Sequence, residues 1–122
     1  MLLGNFYNII ASEREGQTIR AKVSFNAAHE IFKGHFPNMP VVPGVCQTQM
    51  LVETLNKLLN RNLELKMAHH IKFLLLLNPT VVNEVTCEIK LDKEEGERLW
   101  VSANYFNGQE MYFRFKGEFV NG

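Results

Sequence analysis

The sequence predicts an α+β fold in which an antiparallel sheet wraps one long central helix, and three observations lead there. Period-two alternation of apolar and polar residues recurs in several separate runs. Helical period occurs in one segment only, and turn residues separate the alternating runs. At 122 residues the chain has the size of a single domain, residues 1–122, and a chain this long buries roughly two-thirds of its unfolded surface.

Each element has its own justification. "TIRAKVSF" puts Ile19, Ala21, Val23 and Phe25 on one face and Thr18, Arg20, Lys22 and Ser24 on the other, a strand with one wet side. "VTCEIKLD" repeats the pattern with Val85, Cys87, Ile89 and Leu91 inward. "LWVSANYF" does so with Leu99, Val101, Ala103 and Tyr105, and "MYFRFKGEF" with Met111, Phe113, Phe115 and Phe119. Glu94-Glu95-Gly96-Glu97 and Asn107-Gly108 separate these runs, and Asn-Gly between alternating strands is a hairpin signal, so the C-terminal half reads as a meander. "FLLLL", Phe73 to Leu77, is too short to span a bilayer and reads as a buried strand. From Val45 to Asn60, the residues Val45, Thr48, Leu51, Val52, Leu55, Leu58 and Leu59 recur at three- and four-residue spacing. Pro43-Gly44 starts this helix, "NRNLE" ends it, and its apolar content predicts burial on most sides. The order is therefore strand, strand, proline-rich loop, helix and four strands.

Composition narrows the function classes. Lys plus Arg equal Asp plus Glu at 13 each, which gives no reason to expect nucleic acid or an anionic membrane as main partner. Cys46 and Cys87 lie far apart without a second metal-ligand pair, as expected of free buried thiols in a cytoplasmic protein. "MLLGNFYNII" lacks a basic n-region and a long apolar core, so it is no secretory signal, and no stretch approaches the roughly 20 apolar residues of a membrane span.

The chemistry concentrates between Gly34 and Gln49, "GHFPNMPVVPGVCQTQ". Pro37, Pro40 and Pro43 recur every three residues, which favours an extended, polyproline-like segment, and Gly34 and Gly44 bracket it. His35 thus sits on a stiff connector shortly before a buried helix. The first amides of that helix have no internal partner and carry partial positive charge. A histidine base beside such a terminus can remove a proton while the amides stabilise an enolate oxygen, which is chemistry α to a carbonyl. Taken alone, such a loop is more often a turn that happens to contain a histidine.

A resemblance shifts that reading. "HEIFKGHFPNMPVVPGV" resembles the signature G-H-F-P-x-x-P-x-x-P-G of FabA/FabZ-type 3-hydroxyacyl-acyl-carrier-protein dehydratases, and the element order resembles their hotdog fold over nearly the whole chain. The resemblance implies His35 as base and the amide of Gly44 or Val45 as holder of the thioester oxygen; no metal or other cofactor is expected. It also implies acyl-thioester substrates on acyl carrier protein or coenzyme A, and a homodimer, or a dimer with a relative, having acyl tunnels at the interface. One position departs: the family's catalytic carboxylate falls at Gln49. An amide has no proton to give a leaving hydroxyl, although it can orient one.

Other candidates are weaker. Glu53 shares the helix face with Gln49 about 6 Å further along the axis and is the nearest substitute acid, but a solvated charge at the helix edge is the favoured reading. His29 and Glu30 could reach the site, and turn capping explains them equally well. Cys46 lies in the first helical turn without a histidine partner, and a small buried side chain is the better account. His69-His70 opens a strand, where neighbours point to opposite faces and cannot share a metal. Lys57, Arg61, Lys66 and Lys72 could receive an acidic carrier, but solvated residues around a helix end explain them as well. The expectation is a dehydratase acting on 3-hydroxyacyl thioesters in fatty-acid or polyene-type biosynthesis. The alternatives are a non-catalytic thioester-binding subunit paired with an active relative, and, less favoured, a hotdog thioesterase.

Overall fold

A computed structural model describes residues 1–34 and 40–122 of the chain. The elements in order are β1 (Tyr7–Glu15), β2 (Thr18–Phe25), a short helix α1 (Glu30–Gly34), the long helix α2 (Gly44–Leu59), and β3 (Leu63–Phe73), β4 (Glu84–Glu95), β5 (Arg98–Asn107) and β6 (Glu110–Asn121). All pairings are antiparallel, in the order β1-β2-β4-β5-β6-β3, so the strand after the helix crosses to the far edge and pairs with the last strand. Three hairpins, β1–β2, β4–β5 and β5–β6, turn on two-residue loops that begin with Gly16, Gly96 and Gly108, at φ 61°, 61° and 56°. That backbone region costs glycine nothing and gives the hairpin its handedness.

The inward residues of β2, β4 and β5 are those the alternation predicts. Ile19, Ala21, Val23, Phe25, Val85, Cys87, Ile89, Leu99, Val101, Ala103 and Tyr105 are all buried, with Leu91 half-buried beside them. On β6, Phe113, Phe115 and Phe119 are buried and form an aromatic row with Tyr105. Tyr105 stacks on Phe113 at 4.6 Å between centroids, and Phe115 lies 6.3 Å from Phe113. Register shifts in β1, β3, β4 and at Tyr105/Phe106 add local bends, and bulges of this kind curl a sheet around whatever covers its inner face.

That cover is α2. The helix ends where Asn60 takes the left-handed conformation (φ 51°, ψ 48°) and its N–H returns to Asn56 O. The Asn56 side chain also bonds both the N–H (2.8 Å) and the C=O (3.1 Å) of Leu63, which fixes the turn into β3.

Four expectations need correction. The buried helix face is Cys46, Gln47, Met50, Leu51, Glu53, Thr54 and Leu55, whereas Val45 is 79% exposed and Val52, Leu58 and Leu59 are half-buried. Glu53 can occupy that face because the Leu2 and Leu3 amides and the Tyr7 hydroxyl reach it. Gln47 bonds Val42 O through its nitrogen, whereas its buried Oε1 has no partner among the described residues. "FLLLL" is not a buried strand: β3 ends at Phe73, which is 50% exposed, Leu75 and Leu76 are also exposed, and Leu77 alone is fully buried. His69 and His70 lie in the middle of β3 rather than at its start, and a register shift between Ala68 and His70 makes His69 the extra residue of a bulge. The turn before the proline loop contains α1, whose start is capped by His29 Nδ1 accepting the Ile31 N–H at 3.1 Å.

Candidate functional site at the start of the long helix

Pro43 precedes α2 in an extended conformation (φ −60°, ψ 148°), and the Gln47 N–H closes the first turn on its carbonyl at 3.0 Å. Among the described residues, no side chain caps this end. The amides of Gly44 and Val45 belong to the first turn, where an α-helix has no acceptors of its own to offer, so they are donors available to an anionic oxygen. Gly44 has a steric reason to be glycine. A Cβ there would stand 2.8 Å from the Phe73 ring, which lies directly over the helix start. Phe73 in turn packs on Phe113 at 5.6 Å. The Val42 N–H donates to Leu77 O at 2.8 Å, so the segment after β3 holds the approach to the helix from the other side.

Beneath this end the helix is fastened by tyrosines. The Tyr105 hydroxyl donates to the main-chain carbonyl of Gln47, and the Gln47 amide nitrogen donates to Val42 O at 3.0 Å. One turn further, the Gln49 Nε2 donates to Glu53 Oε2 at 2.8 Å. Glu53 is 8% exposed, which corrects the expectation of a solvated charge. Its carboxylate accepts the N–H groups of Leu2 (2.9 Å) and Leu3 (2.8 Å) and the Tyr7 hydroxyl (3.2 Å). Burial would raise the Glu53 carboxyl, but the Leu2 amide, the Gln49 side chain, the Leu3 amide and Tyr7 outweigh it and hold it below its ordinary range. Burial pushes the Tyr7 phenol well above its ordinary value, so it stays neutral and donates. Glu53 is therefore an ionised anchor for the N-terminal segment and a poor proton donor at neutral pH.

The predicted residues are thus partly brought together. Gly44, Val45 and Gln49 share the first turns of α2. His35 lies outside the described residues. His29 caps α1 and meets Phe6 edge-on at 5.3 Å, which accounts for it structurally. Cys46 is buried, and that burial pushes its thiol up, as expected of a packing residue. His69 bonds Glu118 at 2.6 Å, and His70 faces Lys116 across the β3–β6 pair. Arg61 pairs with Glu94 at 3.2 Å, which ties the helix end to β4. The sequence reading missed Phe73, whose role depends on a contact 29 positions away from it in the chain, at Gly44. It also missed the Tyr7–Glu53–Leu2 network. Among the described residues, no group of three or more His, Cys, Asp or Glu is placed to hold a metal ion. No helix there is long and apolar enough to cross a membrane.

A six-stranded antiparallel sheet wound on one long helix is the architecture of a hotdog-fold protein. The chain belongs to the ApeI-like family, whose model, described as ApeI dehydratase, matches residues 11–113. Among solved structures it resembles the dehydratase heterocomplex ApeI:P from Xenorhabdus doucetiae, with a TM-score of 0.73 and 21% identity over 93% of this chain and 96% of that one. It also resembles the conserved protein PA5202 from Pseudomonas aeruginosa, with a TM-score of 0.65 and 14% identity over 91% of this chain and 86% of that one. At these identities the likeness is one of fold. The 3-hydroxyacyl-[acyl-carrier-protein] dehydratase FabZ of Listeria welshimeri is 40% identical over 45 residues, 37% of this chain, and the match spans only 31% of that relative's length.

Proposed function

We propose that this chain is a hydro-lyase that reversibly removes water from 3-hydroxyacyl thioesters, carried on acyl carrier protein or coenzyme A. The observation that carries the reading is the uncapped start of α2 at Pro43-Gly44, closing a G-H-F-P-x-x-P-x-x-P-G sequence. In this reaction His35 takes a proton from C2. The Gly44 and Val45 amides stabilise the charge that develops on the thioester oxygen, and the C3–O bond breaks. Gln49 holds the departing hydroxyl but cannot protonate it, so the imidazolium formed on His35 returns its proton to that oxygen and water leaves. A base that must also serve as acid makes for a slow enzyme, working in the cytoplasm.

Membership of the ApeI-like family and the apolar rim support a dimer, with itself or with a relative. Met67, Ile71, Phe73, Leu75 and Leu76 lie exposed on and just beyond β3 at the sheet edge, and Val45 is exposed at the start of α2. The Gln49–Glu53 hydrogen bond favours one second reading, a thioester-binding subunit that supports an active partner, because it fixes an amide where the chemistry asks for an acid. The deciding experiment incubates the purified protein with 3-hydroxyacyl and 2-enoyl thioesters and follows loss or gain of water by mass. A rate at the solution background removes the lyase reading.

A further inference from the structure

We infer that Glu53 is a positioning residue that fixes the side-chain amide of Gln49 with Oε1 turned away from the carboxylate, making position 49 an acceptor for a hydroxyl on the bound ligand. The proposal rests on the thioester-site reading for its ligand, but its geometry stands apart from that reading.

The argument is one of donor and acceptor inventory. The oxygen and the nitrogen of a free glutamine amide exchange places by a simple flip, at little cost on an exposed helix face. Here Gln49 is exposed, yet its neighbour at 2.8 Å is a carboxylate that offers acceptors only. Glu53 cannot change partner or drift. It is buried, and its oxygens are already held by the Leu2 and Leu3 amides and the Tyr7 hydroxyl. The amide nitrogen must therefore face Glu53, because the flipped amide would set its carbonyl oxygen against a carboxylate. What Gln49 shows to the outside is a carbonyl oxygen and the second N–H. A carboxylic acid at this position would give a proton; this amide receives a hydrogen bond. A 3-hydroxyl, which can donate, is then favoured over the same acyl chain without it.

Two measurements on the full chain test this. In ¹⁵N-labelled protein, the Gln49 side-chain amide, assigned by its loss in Gln49→Leu, is expected to show one proton shifted downfield and to move as Glu53 is protonated in acid. The groups around Glu53 are Tyr7, which stays neutral, and Met1, Lys57 and Arg61, which line the same hollow. The Leu2 and Leu3 backbone amides report separately whether the N-terminal segment has come loose. Gln49 resonances that are the same in Glu53→Gln as in the unmodified protein, and unmoved by acid, overturn the proposal. The second measurement compares binding of 3-hydroxyoctanoyl- and octanoyl-coenzyme A. The hydroxyl should favour binding by about 2- to 10-fold, the size of one hydrogen bond. That preference should vanish in Gln49→Leu and shrink in Glu53→Gln. An unchanged ratio in Gln49→Leu refutes the acceptor role. If the unmodified protein binds neither thioester, the site reading fails, and the resonance measurement still decides the orientation.

Discussion

On the proposed reaction, replacing Gln49 by glutamate should raise the rate, and its neighbour is the reason. The new carboxyl would stand where the amide now donates to Glu53 at 2.8 Å. Two carboxylates about 4 Å apart repel by about 1 kcal/mol in water and about 4 kcal/mol at the effective dielectric of a protein surface. That raises one of the pair by roughly 1 to 3 pKa units. Glu53 keeps its charge, because the Leu2 and Leu3 amides and Tyr7 still donate to it, so the shared proton settles on residue 49. From an ordinary value of about 4.3, the new acid would then titrate between roughly 5 and 7, suited to giving up a proton near neutrality. A positioned general acid contributes about 10²–10⁴-fold, so even a partly protonated one should raise the rate at least about tenfold. The assay is hydration of a 2-enoyl thioester by both proteins from pH 5 to 8, with thermal unfolding to confirm the fold. A Gln49→Glu protein that is folded yet no faster at any pH would refute the reasoning.

Other perturbations test other parts of the molecule. His35→Ala should lower turnover by about 10²–10⁴-fold with an unchanged melting profile, and full retained activity would remove His35 from the mechanism. Gly44→Ala should disturb the site, because its Cβ would meet the Phe73 ring at 2.8 Å. A weakened KM for the thioester, partly restored by the second change Phe73→Leu, is the expected pattern. The folded Glu53 carboxyl lies below its unfolded value, so its stabilising contribution is complete above about pH 4.5 and is lost as pH falls through the folded value. Acid titration followed by hydrogen exchange should show the Leu2 and Leu3 amides freed before the sheet, and simultaneous loss would count against the anchor. Light scattering should find a dimer at micromolar concentration, and Ile71→Asp on the apolar edge should shift it towards monomer. A stable monomer of the unmodified chain would sink the interface model.

The inner strands were legible because alternation is a local property. Ile19 through Phe25 and Leu99 through Tyr105 declare their buried face within eight residues. β3 hid itself for a physical reason. It is an edge strand with two register shifts and is mostly exposed, so neither period nor burial marks it, and the apolar run beyond Phe73 drew attention instead. Gly44 was legible from its proline neighbour, while the Phe73 ring that requires it was not. Glu53 was misread because its partners, Leu2 and Leu3, stand 51 and 50 positions earlier in the chain. A carboxylate between apolar helix residues looks solvated until the amides that claim it are known.

The pairing of β3 with β6 also bears on how the chain reaches its native state. Leu63 lies opposite Asn121, and Phe73 opposite Phe113, so the strand that follows the helix acquires its neighbour only after nearly fifty further residues have been made. During synthesis, Leu63, Phe73 and the inner face of α2 must wait beside the ribosome until β6 emerges. The β1–β2 and β4–β5 hairpins have both strands before β6 is made, whereas the β3 edge does not. Long-range pairing of this kind slows folding and prolongs the exposure of apolar surface. The same edge that rims the helix start is thus the one whose partner strand is made last.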